Sequence, residues 1–135
     1  MPPPDRRRWQ ALAVLALVQF TIVIDATVVN VALPTVGAEF GLSADGLAWV
    51  LNGYLVTAGG LLLLGGRLAD VLGRRRMFLV GTVLFALASA LCALAPTGAV
   101  LIVARFLQGT GEALASPSAL SIIALLFSDP RERGT

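Results

Sequence analysis

The stretch LLLLGGRLADVLGRRRMFLV, residues 61–80, sets Arg67, Asp70, Arg74, Arg75 and Arg76 between two runs of apolar side chains. Leucine and valine runs without charge belong in hydrocarbon, whereas clustered guanidinium groups mark the water-facing ends of membrane-crossing segments. A glycine at residue 73 stands where a chain must reverse. The stretch therefore reads as a short polar hairpin joining two membrane helices.

The composition of the whole chain agrees. Its 135 residues are 57% hydrophobic and only 13% charged, with a mean hydropathy of +0.86, against roughly 25% charged residues in soluble domains. A helix needs about 20 apolar residues to cross hydrocarbon, and the sequence supplies such stretches at about 9–33, 47–72, 77–94 and 99–127. An all-α membrane protein of four transmembrane helices is expected. Residues 1–8 form an arm before them and residues 128–135 begin a loop after them. The connectors EFGLSADG, GRRR and APTG carry the turn chemistry, and Ser43 or Asp45 is placed to cap the second span. The apolar run that follows the first arginines continues to Leu33 without a small-residue cleavage site, so it reads as a retained helix rather than a signal peptide.

All ten basic residues are arginines. Three precede the first span, four lie between the apolar part of the second, which ends at about Leu64 with helix continuing towards Leu72, and the third, two follow the fourth, and Arg105 falls inside a span. By the positive-inside rule both ends and the central hairpin are cytoplasmic. Arginines gathered at the ends of apolar runs, without a basic stripe, do not point to nucleic acid. The single cysteine, Cys92, reads as a small core hydrophobe. There is no histidine and no nucleophile–base pair, phosphate loop or metal-ligand cluster, so neither an enzyme nor a cofactor is implied.

Charge at the ends of spans explains the hairpin arginines but not its aspartate or glycines. Gly66, Asp70, Gly73, Arg74 and Arg75 resemble the loop signature between the second and third helices of the major facilitator superfamily. That signature often has a basic residue after the aspartate, where this chain has Val71. Physically, Gly65 and Gly66 permit close helix approach, Asp70 can pair with Arg74 one turn on, and Gly73 can take the left-handed geometry of a reversal. The resemblance implies a cytoplasmic gate whose aspartate faces the other half of a transporter.

Ionisable residues within a span are costly, so each is a candidate for function. Three stand out: Asp25, Arg105 and Glu112. Pro34 cannot donate to the carbonyl of Asn30, which should bend the end of the first span and free an acceptor. Thr21, Asp25 and Asn30 do not share one helical stripe. Asp25 to Pro34 is similar to the first-helix motif of the fourteen-helix drug:proton antiporters, and Asp25 either hydrogen-bonds a neighbouring helix or meets proton or substrate directly.

In the fourth span Arg105, Gln108 and Glu112 share one face, while Gly109/Ala113 and Gly111/Ala115 form small-residue pairs for helix contact. Pro117 leaves the Ala113 carbonyl without its amide and should kink the helix. Arg105, Gln108, Gly109 and Gly111 resemble the fourth-helix motif of proton-coupled antiporters, which implies a role for the arginine in proton transfer. A buried arginine stays charged and lowers the proton affinity of a nearby acid; Glu112 either carries a proton or neutralises Arg105.

The resemblance as a whole implies the first four helices of a transporter's N-terminal half. The implied protein sits in the plasma membrane with a cytoplasmic N-terminus and lipid around it, exchanging protons for hydrophobic or cationic small molecules. The remaining helices of the parent would complete it, with Asn30 and Gln108 facing the substrate cavity. Two alternatives are a compact four-helix homodimeric exporter and a non-transporting membrane subunit.

Overall fold

A computed structural model describes residues 5–127; the first residues of the expected arm and the expected loop at 128–135 lie outside the described residues. Five helices follow in order: α1 (Arg6–Phe40), α2 (Ala44–Gly60), α3 (Leu62–Leu72), α4 (Arg74–Ala93) and α5 (Gly98–Leu126). α1, α4 and α5 are each long and apolar enough to cross a membrane. α2 and α3 together make a fourth candidate span, bent by 45°.

Local chemistry sets the helix ends. The Asp5 carboxylate accepts from the Arg7 amide, so α1 begins inside the expected arm, and Gly41, at φ 60°, closes it in left-handed geometry. Ser43 caps α2 by accepting from the Gly46 amide. Thr97 caps α5 through the Val100 amide. α1 runs through Pro34 to Phe40, seven residues past the expected end at Leu33. Proline deletes one bond, to Asn30, and the bonds on either side carry the helix onward.

The second span departs further from the reading as one helix over 47–72. Gly59 and Gly60 lack a Cβ and cost roughly 1 kcal/mol each relative to alanine within a helix. The ladder breaks just after them, at Leu61, whose amide turns back to Thr57 and Gly59 carbonyls. A glycine pair is a common seat for such a kink.

Gly73 alone makes the polar hairpin: its amide closes α3 on the Ala69 carbonyl and α4 begins at the next residue. Its φ is positive, 105°, but ψ is 129°, outside the left-handed helical region expected for it. Arg74, Arg75 and Arg76 thus form the first turn of α4 rather than a connector. Cations at a helix N-terminus oppose its dipole, so these arginines stand where the helix itself disfavours them.

α5 is the centre of the bundle and packs against all four other helices. Its small-residue pairs face different partners. Gly109 seats against the Tyr54 carbonyl and Thr57 hydroxyl of α2, and Ala113 against Gly65 of α3. Gly111 and Ala115 meet α4 at Gly81 and Phe85. A Cβ on Gly65 would collide with the Ala113 carbonyl, the acceptor that Pro117 cannot satisfy. One on Gly66 would find its nearest neighbour, Pro117 Cβ, at 3.9 Å. Close approach therefore belongs to Gly65 and not to Gly66.

The two faces of the bundle follow. The Arg8 guanidinium donates to the Leu126 carbonyl and lies 5.0 Å over the Phe127 ring, with Trp9 edge-on to that ring. Arg75 shares a groove with Gln10 and Ile122. The start of α1, the end of α5 and the arginine hairpin therefore share one face. On the other, Leu42 packs against Gly98. Many large apolar side chains point outward on every helix, Val31, Leu63 and Val71 among them, as lipid-facing or helix-facing surfaces require.

Candidate functional site

Arg105 is the eighth residue of α5, roughly 10 Å along its axis from the end opposite the arginine hairpin. Only 2% of its side chain is exposed, and its donors are distributed over three helices. Nε donates to the Val50 carbonyl of α2 at 3.1 Å, and Nη1 to the Asp25 carboxylate of α1 at 3.2 Å and to Gln108 Oε1 at 2.8 Å. The guanidinium carbon lies 4.3 Å from the centre of the Tyr54 ring.

Gln108, one turn along α5, completes a closed network. Its amide nitrogen donates to the same Asp25 oxygen at 3.1 Å, and its carbonyl accepts from Arg105 and from the Cys92 thiol of α4 at 3.3 Å. Asp25 is 20% exposed while its partner cation is sealed. The acid, not the base, is the more exposed member of the pair.

Glu112 does not join this network directly. It lies two turns beyond Arg105 on α5, and its buried Oε2 has no hydrogen-bond partner among the described residues. Asn30 also stands apart. Its side chain is exposed and donates to the Ala26 carbonyl of its own helix at 3.0 Å. Thr21 turns to a third place, a cavity of about 500 Å³ between α1 and α4 lined by Leu17, Ile22, Thr82, Phe85 and Ser89. Asp25, Thr21 and Asn30 thus do not share one stripe, although Thr21 and Asp25 are one turn apart.

Two members of the site had no signal as functional residues. Tyr54 sits among apolar neighbours and reads as core, and Cys92 does the same. Only the packing of α2 and α4 on α5 shows that one flanks a buried cation and the other supports its glutamine.

At the hairpin, Arg74 and Asp70 form an i,i+4 pair at 3.5 Å, with side chains 38% and 59% exposed. Such exposed pairs contribute about 0–1 kcal/mol. Within the described residues this pair is too weak to hold a gate unaided.

The major facilitator superfamily model matches residues 15–135, nearly the whole chain. The chain belongs to the major facilitator superfamily. It is 50% identical over 97% of its length to the puromycin resistance protein of Streptomyces alboniger, covering 26% of that protein. It is 50% identical over 89% of its length to the lincomycin resistance protein of Streptomyces lincolnensis, covering 25% of it. With a multidrug efflux pump of Mycolicibacterium smegmatis it shares 44% identity over 94% of its length, covering 25% of the pump. The chain thus spans about a quarter of the length of these relatives. In a superfamily transporter, a sealed cation tied to a semi-exposed acid on another helix is suited to linking protonation with helix position. Membership in this superfamily stands against the compact four-helix exporter.

Proposed function

We propose that this chain supplies the first four membrane-crossing segments of a proton-coupled exporter of hydrophobic or cationic small molecules, in the plasma membrane with its N-terminus cytoplasmic. The observation that carries the reading is the Asp25–Arg105 pair: a cation sealed at 2% exposure and bonded across helices to an acid that is not sealed. Support for the substrate class comes from the relatives, which carry the names of drug resistance and efflux proteins. The arginine hairpin supports the orientation.

The mechanism follows from the bonds. With Asp25 ionised, α1 is held to α5 by a charge-assisted bond, the stronger kind. A proton on Asp25 removes the anion, while Arg105 keeps the Val50 carbonyl, Gln108 and the Tyr54 face. Protonation therefore weakens the tie between α1 and α5, and it shifts the balance between inward- and outward-open shapes by as much as the proton's affinity for Asp25 differs between them. Substrate and proton would compete for the acid, and Gln108, beside it, would orient a bound cation. The Asp70–Arg74 pair would act as a gate only with a partner from the opposing half.

The test uses a chimera in which residues 1–135 replace the matching segment of the puromycin resistance protein, assayed in inside-out vesicles. Puromycin accumulation driven by an acid-inside gradient and abolished by an ionophore is expected. Equal accumulation with and without the gradient, in vesicles that hold the chimera, contradicts proton coupling.

A further inference from the structure

We propose that the exposed face of α4 next to the polar hairpin is a binding site for one anionic phospholipid, with its phosphate on Arg75 and Arg76 and an acyl chain along the aliphatic stripe that follows them. The proposal is independent of the proton-coupled reading. Between residues 61 and 80 four arginines stand with a single acid, Asp70. Arg74 takes that acid at 3.5 Å. Arg75 and Arg76 are exposed, and among the described residues neither has an ion-pair partner.

Two hollows run end to end along α4. The first, of about 580 Å³, is lined by Arg74, Arg75 and Arg76 with Gly73, Leu79 and Val80. The second, of about 430 Å³, is lined by Leu79, Val80, Val83, Leu84 and Leu87, all aliphatic. Leu79 and Val80 belong to both, so the cationic hollow opens directly into the aliphatic one. Positions 76, 80, 83 and 87 repeat at helical spacing and make one stripe, along which Val80, Val83 and Leu87 are exposed. From Arg76 to Leu87 the helix axis rises about 16 Å, half of the roughly 30 Å of hydrocarbon in a bilayer. The stripe therefore has the depth of one leaflet.

Charge and depth together select the occupant. A guanidinium presents a planar fork of donors that matches phosphate oxygens, and basic residues beside a membrane span attract anionic headgroups. A free phosphate or an acidic peptide would use the arginines and leave the stripe bare. An apolar helix would cover the stripe and leave the arginines unpaired. A phospholipid with a net negative head meets both, at the boundary where water gives way to hydrocarbon. Bound there, it fixes the hairpin and the start of α4 at the depth of the headgroups.

The chimera tests this in nanodiscs of equal phosphatidylglycerol and phosphatidylcholine, with the photo-cross-linking residue benzoylphenylalanine in place of Val83 and the adducts identified by mass. Phosphatidylglycerol adducts are expected to exceed phosphatidylcholine adducts about fivefold, the scale of one arginine beside an anionic surface. Arg75→Gln/Arg76→Gln should bring the two to equality. Arg75→Lys/Arg76→Lys should keep most of the preference, which separates loss of charge from loss of folding. Equal capture of the two lipids by the parent chimera, or a preference that survives the glutamine variant, would overturn the site. Cross-links to another helix of the chimera in place of lipid would overturn it as well, by showing that protein covers the stripe. The readout is lipid capture, so it stands whether or not the chimera answers to a proton gradient.

Discussion

The Arg105 guanidinium and the Asp25 carboxylate meet at 3.2 Å although 80 residues separate them in sequence. The pair joins α1, whose packing is comparatively sparse, to α5, the helix that every other one touches. Its energy is thus concentrated at a joint between a loosely and a firmly held element, where a change of charge has the most mechanical effect.

Arg105→Lys should fail to substitute. Lysine offers a point charge on a flexible stem, whereas the planar guanidinium reaches Val50, Asp25 and Gln108 at fixed angles. Gradient-driven puromycin transport by the chimera should fall about tenfold or more, the value of one or two charge-assisted bonds. Transport near the parent level would show that charge alone suffices.

Gly65→Ala and Gly66→Ala should separate cleanly. The first puts a methyl into the Ala113 carbonyl, and the second meets nothing nearer than 3.9 Å. Overpacking costs about 1–3 kcal/mol, so the melting temperature of the detergent-solubilised chimera should drop for Gly65→Ala and hold for Gly66→Ala. Equal effects would contradict the packing of α3 on α5.

Asp70→Asn removes an exposed pair worth at most about 1 kcal/mol, so the folded yield and puromycin affinity should persist. Turnover should nevertheless decline if Asp70 holds a gate against the opposing half. Parallel loss of affinity and turnover would instead indicate misfolding.

Replacing Gly59 and Gly60 together with alanine should favour a continuous helix by roughly 2 kcal/mol and open the 45° bend between α2 and α3. Spin labels at the exposed positions Val56 and Val71 would report a longer separation. An unchanged distance would place the cause of the bend in the packing of Gly65 on α5.

What was legible in the sequence was whatever announces itself by charge or spacing. Arg105, Gln108 and Asp25 stood out because an ionic or amide side chain in an apolar run has no bland explanation at that cost, and the hairpin showed itself by its arginines. Gly109 and Gly111 were legible as packing surfaces, but their assignment to α2 and α4 depends on the rotation of α5, which no local spacing encodes. The break at Leu61 was hidden because apolar length argued for one span while the glycine pair argued against it. Asn30, expected at the substrate cavity, is exposed, and its side chain bonds the Ala26 carbonyl of its own helix. Tyr54 carries no charge, so its part in the site rests on which helix lies opposite, a fact of tertiary structure alone.

The most direct test of the account is a cycle of Asp25→Asn, Arg105→Ala and the double variant, read as gradient-driven puromycin accumulation per chimera in vesicles. Each single change should abolish most of the gradient-driven component, and the double variant should be no worse than the more impaired single. Accumulation that survives in either single variant, or losses that multiply in the double, would contradict the claim that this pair works as one unit.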